Sequence, residues 1–303
     1  MNYNLITILG PTAVGKTHLA AQLANRFNGE IISADSRQVY IGMDIGTGKD
    51  ISDYNVEGKI IPNHLIDVIK PEDEFNLFLF NNFFYESFSN ITSRGKVPLL
   101  VGGTGLYVHS ILNGYKLNKV DFDKTHYEEL NELDTKELNE KLKKLNPSLH
   151  NTTDLLVKER IIHAIMIAEK ENDNEALKKS VINSLTIGIR LEREEIKKRI
   201  TERLTFRLQN GMIEEVKRLI DNGISFERLN LFGLEYKFIG KYLNGELSYN
   251  DMHQKLNSAI HSFAKRQMTW FRKMEREGVI INWVDGPNYD EALKLISKHF
   301  YRQ

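Results

Sequence analysis

Gly10-Pro11-Thr12-Ala13-Val14-Gly15-Lys16-Thr17 fits the phosphate-loop pattern GxxxxGK[ST] at every fixed position, and what flanks it decides the fold. The apolar run Leu5 to Leu9 before it reads as a buried strand. His18 to Phe27 after it carries helix-forming residues, with Leu19, Leu23 and Phe27 on one face. Strand, loop and helix in this order predict an α/β chain whose parallel sheet is flanked by helices. Gly10 and Gly15 let the backbone curl with its N–H groups pointing inward, and the new helix adds its positive N-terminal end. A diphosphate or triphosphate is then held by the main chain, without base or sugar contacts. Lys16 supplies a point charge and Thr17 a hydroxyl ligand for magnesium.

The 303 residues suffice for one large domain or two ordinary ones, and 41% hydrophobic content suffices for a core. Forty-one basic residues balance 41 acidic ones, which argues against a protein that coats nucleic acid or membrane through its overall field. A polyanion must be met by a local patch. The absence of cysteine excludes disulfides, cysteine-ligated zinc and thiol catalysis, and suits a reducing compartment. The chain enters a strand almost at once and has no apolar run near the length of a membrane span, so a cytoplasmic protein is expected, with no membrane partner.

Glu30 to Ala34 reads as a second strand running into Asp35-Ser36-Arg37-Gln38-Val39-Tyr40. Ligands in open α/β sheets gather beyond the carboxyl ends of strands, which places Asp35 near the bound phosphates. A carboxylate is repelled there unless magnesium or a proton transfer gives it a role, so a general base is favoured over a surface cap. Met43 to Lys49, with two glycines, is either a surface turn or a loop touching the ligand. Ile60 to Asp67 reads as a short strand interrupted by Pro62, with His64 taken as structural. Asp73 to Arg94 reads as one core-facing helix rich in phenylalanine.

Val97 to Val101 is the clearest buried strand, and it ends in Gly102-Gly103-Thr104-Gly105. A phosphate-loop ATPase usually has an acidic magnesium ligand at such a place. Here the glycines permit close backbone approach, and Thr104 either donates to a phosphate, caps the next helix, or does both. From 117 to 180 the composition shifts to Lys, Glu, Asn and Leu at helical spacing, while Ser184 to Leu191 reads as a further core strand. The expected organisation is a core of 1–116 and 181–303 with an all-helical insertion of 117–180. Arg193 to Asp221 is expected as one long helix on which Arg199, Arg203 and Arg207 form a row. Such a row binds phosphates, although spacing alone favours a solvated face paired with neighbouring glutamates. Ser248 to Arg276 is expected as another helix, capped by Ser248 and Asp251, with Met252, Leu256, Ile260 and Phe263 inward. Its Lys265 to Lys273 stretch mixes basic and aromatic residues, which suits single-stranded nucleic acid, while core anchoring of Trp270 and Phe271 is the commoner use. Val279 to Val284 and Tyr289 to Tyr301 read as a last strand and helix.

Over essentially its whole length the sequence resembles the tRNA dimethylallyltransferase, or tRNA isopentenyltransferase, family. The matching stretches are GPTAVGKT from Gly10, ISADSRQVY from Ile31, MDIGTGK from Met43, NHLID from Asn63, VGGTGLY from Val101, RITERL from Arg199, GMIEEV from Gly211 and AKRQMTWFR from Ala264. The phosphate loop is widespread, but its combination with DSRQVY, GGTGLY and RQMTWFR is specific. The resemblance implies a P-loop NTPase-like, kinase-like core with a helical insertion. It implies transfer of a dimethylallyl group from its diphosphate to the exocyclic N6 amine of the adenosine just 3′ of the anticodon, with Mg2+, on a tRNA anticodon stem-loop partner. Asp35 would take the amine proton and Thr104 would orient the amine or a diphosphate oxygen. Lys16 and Arg203 would stabilise the leaving diphosphate. Asp35, Ser36, Arg37, Gln38 and Thr104, together with Glu159, Arg160, Ile161, Ile162 and His163 of the insertion, would contact tRNA. At that last stretch the family more often has Gln-Arg and a second arginine. The chain ends without the cysteine and histidine finger of nuclear-genome eukaryotic members, so the bacterial type is expected, as a monomer. The competing readings are an adenylate isopentenyltransferase, a small-molecule kinase and a non-catalytic tRNA-binding module.

Overall fold

Every residue of β1 (Leu5–Leu9) is buried, because β1 is an interior strand of the sheet with both faces covered. The computed structural model describes residues 3–115, 124–145, 158–169 and 180–299. After β1 come α1 (Lys16–Arg26), β2 (Gly29–Ser33), a short 3-10 turn at Ile51–Tyr54, β3 (Asn55–Val56), β4 (Lys59–Ile60), β5 (Asn63–His64), α2 (Leu77–Ser93), β6 (Val97–Gly102) and α3 (Gly105–Leu112). The insertion contributes α4 (Lys124–Glu132), α5 (Thr135–Leu145) and α6 (Lys158–Glu169). The chain continues through β7 (Ser184–Arg190), α7 (Arg193–Gln209), α8 (Met212–Asp221), α9 (Phe226–Leu229), α10 (Leu234–Leu243), α11 (Tyr249–Arg276), β8 (Ile281–Asp285) and α12 (Tyr289–His299).

Six strands form one parallel sheet in the order β5-β2-β6-β1-β7-β8. Leu9 at the end of β1 pairs with Gly102 of β6 on one side and Gly188 of β7 on the other, so the loop leaving β1 opens between two strand ends. One face of the sheet packs against α1 and α12 through residues such as Leu19, Leu23 and Ile296, and the other against α2, α3 and α11 through Phe80, Phe84, Val108 and Phe271. A third apolar cluster gathers α7, α8, α10 and α11 around Val39, Tyr40 and Met43, which ties this helical group to the turn after β2.

The expected single helix from Arg193 to Asp221 is two. Gly211 adopts φ 98°, a left-handed conformation that ends the run at Gln209 and starts α8 at Met212. The helix expected from Asp73 begins at Leu77, capped by Asn76, whose side chain accepts from Leu79 N at 3.0 Å. In α11 the Ser248 cap forms, its hydroxyl accepting from Asp251 N at 3.2 Å, but Phe263 does not face inward. It is 39% exposed and Ala264 holds the buried place. Of the last helix, Tyr301 lies outside the described residues.

The chain divides into two compact units, Met1–Gly114 with Val181–Gln303, and Tyr115–Ser180. The smaller unit has its own core of Leu130, Leu138, Leu142, Ile161, Ile162, Ile165 and Met166. Asp134 caps α5 by accepting from Glu137 N at 2.8 Å, while Glu137 reaches back to Asp134 N at 2.9 Å.

At the N-terminal edge of the sheet, away from the loop, Glu30 is buried and accepts from Arg94 at 2.6 Å, from Lys96 at 2.6 Å and meets His64 Nε2 at 2.8 Å. His64 is thus structural. The bonds from Arg94, then those from Lys96 and His64, hold the Glu30 carboxyl far below the usual range despite burial. Because the folded state depresses this group, its contribution is complete above the ordinary glutamate range and is lost as pH falls below it. Glu30→Ala is expected to cost about 2 kcal/mol in urea unfolding at pH 7, since its partners can return to water, with the difference from wild type shrinking below about pH 4.

Candidate active site

The phosphate loop leaves β1 with Ala13 at φ 66° and Gly15 at φ 85°, both left-handed, and Gly15 forms the N-cap of α1. Alternating hand in this way turns successive main-chain N–H groups to one side, the geometry of an anion cradle. Three side chains brace the loop. Gln267 Oε1 accepts from Thr12 N at 2.9 Å, Arg203 donates to Thr12 Oγ1 at 2.5 Å, and Lys16 Nζ donates to Pro11 O at 2.6 Å.

Burial first, and then the nearby Arg203, bring Lys16 down to about 8, against an opposing pull from Asp35. Burial, and then Arg207, bring Arg203 down to about 10, opposed by Asp50, Glu235 and Asp35. Two cations are therefore held beside one another with their hydration reduced, which is the electrostatic signature of a site that takes an anion. Burial also raises Asp53 and Glu235 above the usual carboxylate range.

Asp35 follows β2. Its Oδ1 accepts from Arg37 N at 2.9 Å, closing the turn, and its charge acts on Lys16, Arg203, Tyr54 and Tyr107. Opposite stands Thr104, whose hydroxyl accepts from Ser36 N at 3.2 Å. Thr104 occupies the N-cap of α3 but its side chain makes no capping bond, so the capping role expected of it is not filled. The glycines before it are needed for close approach: a Cβ on Gly102 would strike the carbonyl oxygen of Ala34, and one on Gly103 the amide of Gln267. Asp35, Thr104, Lys16 and the loop thus gather at the carboxyl edge of β1, β2 and β6.

Other expected residues are used within the protein. Gln38 accepts from Ser33 Oγ at 3.1 Å and donates to Gly48 O at 3.0 Å, and the Arg37 guanidinium donates to Leu231 O. The arginine row divides three ways. Arg199 pairs with Glu195 at 2.6 Å on the outer face, Arg203 reaches the loop, and buried Arg207 pairs with Asp50 at 3.0 Å. In the insertion, Glu159 to His163 lie in the first turns of α6. Ile161 and Ile162 are wholly buried in that unit's own core, where their side chains pack. Phe271 is buried as a core anchor, while Lys265, Arg266 and Arg272 are exposed along α11.

The sequence reading missed Gln267, which is buried and ties Thr12 to Gly103 O at 2.8 Å, joining the two loops that frame the site. The signal was present. Leu256, Ile260, Ala264, Gln267, Phe271 and Met274 form one buried stripe, and a glutamine on such a stripe must be satisfied by something. Asp50, Tyr54 and Glu235 were missed as well, and no local pattern marks them.

A family described as IPP transferase matches residues 38–274, and one described as Isopentenyl transferase matches residues 3–59. The tRNA dimethylallyltransferase 1 of Geotalea daltonii is 53% identical over 299 residues, covering 98% of this chain and 96% of its own length. The full-length tRNA isopentenylpyrophosphate transferase of Bacillus halodurans, known from a crystal structure, is 33% identical, with a TM-score of 0.70 over 98% of this chain and 95% of that one. A eukaryotic dimethylallyltransferase acting on tRNA, at 22% identity, shares the fold with a TM-score of 0.71 over 98% of this chain and 76% of its own. With the greater part of its length matched and half its residues shared with such relatives, this chain belongs to the IPP transferase family.

Proposed function

We propose that this chain transfers the dimethylallyl group of dimethylallyl diphosphate to the N6 amine of the adenosine immediately 3′ of the anticodon in tRNA, releasing diphosphate. The observation that carries it is the pairing of a cation-rich phosphate cradle, Lys16 and Arg203, with a carboxylate, Asp35, at a strand edge where β6 ends in Gly102 and is followed by Gly103. A phosphate-loop ATP hydrolase usually carries an acidic magnesium ligand at such a strand end, and β6 ends in glycine instead. A transferase needs only to hold the leaving diphosphate and accept one proton.

The exocyclic amine is a weak nucleophile because its lone pair is delocalised into the ring. As nitrogen bonds to the allylic carbon, the carbon–oxygen bond to diphosphate breaks, its electron pair leaves on oxygen, and the amine proton passes to the Asp35 carboxylate. Lys16, Arg203 and the loop N–H groups take up the charge gathering on diphosphate. Thr104, held beside Ser36, orients the amine or a diphosphate oxygen. Among the described residues no group of three His, Cys, Asp or Glu side chains could hold a metal. Thr17, in the first turn of α1, would offer its hydroxyl to a magnesium ion held with the diphosphate. When bound, that ion would add Lewis-acid stabilisation of the leaving group.

The anticodon loop is single-stranded, so the target base can be swung out and read by stacking and edge contacts. Exposed Lys265, Arg266 and Arg272 on α11 supply local positive charge in a chain of zero net charge. No helix among the described residues is long and apolar enough to cross a membrane. A monomer working in the cytoplasm is proposed.

The test supplies tRNA, dimethylallyl diphosphate and magnesium without ATP and analyses the nucleosides by mass. Prenylated adenosine next to the anticodon is expected. A requirement for ATP turnover would sink the proposal in favour of a kinase. Equal activity on free adenosine monophosphate, or tRNA binding indifferent to salt, would move it to nucleotide-modifying relatives.

A further inference from the structure

We propose that Glu215, outside the cradle and far along the chain from it, is the positioning residue for the Asp35 turn; this rests on the role of Asp35 given above. Glu215 lies on α8 and is 2% exposed. Its carboxylate has no lysine or arginine within bonding distance among the described residues. Instead Oε2 accepts from Asp44 N at 2.8 Å and Ile45 N at 2.7 Å, while Oε1 accepts from Gly46 N at 2.9 Å and Tyr236 OH at 2.7 Å. Four neutral donors on a buried carboxylate form a fixed cage, because bonds to a charged acceptor are the strong ones and leaving any donor unmet is costly. Burial, with the Glu215 charge beside it, raises Tyr236 well above its ordinary value, so the phenol keeps its proton and remains a donor.

The caged loop holds the Asp35 turn at two points. Gly48 O accepts from Gln38 Nε2 at 3.0 Å, and Lys49, itself buried, donates to Tyr40 O at 2.5 Å and pairs with Asp67 at 2.5 Å. Just before these points the turn closes on itself, Arg37 N donating to Asp35 Oδ1 at 2.9 Å, and Arg37 is followed directly by the held Gln38. The loop admits no slack on its inner side. A Cβ on Gly46 would press into the Tyr236 ring at 2.6 Å, and one on Gly48 would strike the Arg207 guanidinium. A displacement of the 44–48 loop is therefore passed to Gln38 and from there to the base, whereas the loop-bracing contacts of Arg203 and Gln267 at Thr12 are separate from it.

Glu215→Gln keeps the volume but replaces one accepting oxygen with an NH2 that faces donors. Two readouts are made on the full chain. In hydrogen exchange, residues 35–40 and 44–49 should exchange at least tenfold faster than in wild type, while the phosphate loop is unchanged. In single-turnover transfer, the rate should fall about tenfold to thirtyfold with the KM for dimethylallyl diphosphate within threefold. In an Asp35→Asn background the same substitution should cost less than twofold, because its effect acts through Asp35. Tyr236→Phe removes one donor only and should give the same pattern at about threefold, which preserves the test if Glu215→Gln does not fold. Unchanged exchange at 35–40, or a full loss that persists in the Asp35→Asn background, would overturn the inference. If wild type itself fails to modify tRNA, the activity reading falls, and exchange alone still decides whether Glu215 holds the turn.

Discussion

Replacing Asp35 with Asn is expected to slow single-turnover transfer by roughly a hundredfold or more while leaving tRNA affinity within a few fold. The amide keeps the shape and can still accept from Arg37 N, which closes the turn at 2.9 Å, so the local fold has no reason to change. What it cannot do is receive the amine proton. Asn also removes the negative charge that acts on Lys16 and Arg203, so the cradle becomes more positive and diphosphate should bind slightly tighter. A slower chemical step with equal or lower KM for dimethylallyl diphosphate is the combined signature. Near-normal single-turnover rates would remove Asp35 from the mechanism.

Lys16→Met should abolish measurable transfer, by about a thousandfold, and yet make the free protein more stable by about 1 kcal/mol. Lys16 is brought down to about 8 from 10.5, chiefly by burial. Because the folded state disfavours its charge, the penalty is complete below about pH 8 and fades as pH rises towards the unfolded value. The loss of the 2.6 Å bond to Pro11 O offsets part of the gain. Thermal unfolding of both proteins should show the Met variant ahead at pH 7, with the gap closing by about pH 10. Diphosphate affinity of wild type should weaken as pH rises through 8, since the free enzyme then loses one of its cradle charges. A Met variant less stable than wild type at pH 7 would mean that burial does not strain this lysine.

The longer strands and the phosphate loop were legible because their signals are local: in β1, four apolar residues around Thr7, then glycines at fixed spacing, whereas the strand expected over Ile60 to Asp67 is split into β4, paired with β3, and β5 on the main sheet. The turn at Gly211 was legible too, as Asn210-Gly211 is a helix stop, but the long run of charged residues on either side concealed it. Phe263 was misplaced because the larger apolar residue, three positions after Ile260, was preferred to the small one four positions after it, whereas the buried stripe takes one more step of four to Ala264 and only then a step of three to Gln267. Arg207, Glu215 and Gln267 share one trait. Each is a polar residue on an otherwise apolar buried stripe, of α7, α8 and α11 respectively. The stripe can be read from sequence, but the partners cannot: Asp50, the 44–46 main chain, and Thr12 with Gly103 are remote in sequence and are brought there only by the fold.

The central place of β1 has a consequence for how the chain is made. One flank of β1 is β6, but the other is β7, and the bond from Asn183 N to Asn4 Oδ1 that begins this pairing joins residues 179 positions apart. On a ribosome the strand that carries the phosphate loop therefore waits with one edge unpaired until the whole insertion has been synthesised. At translation speeds of about 5–20 residues per second that interval lasts on the order of ten seconds or more. An apolar strand with an open edge is a template for wrong pairing. The insertion has a separate core of its own, so it can fold during the wait. Slowing synthesis between residues 115 and 180 should thus lengthen the vulnerable period and lower the soluble yield, although no codon in that stretch alters the sheet itself.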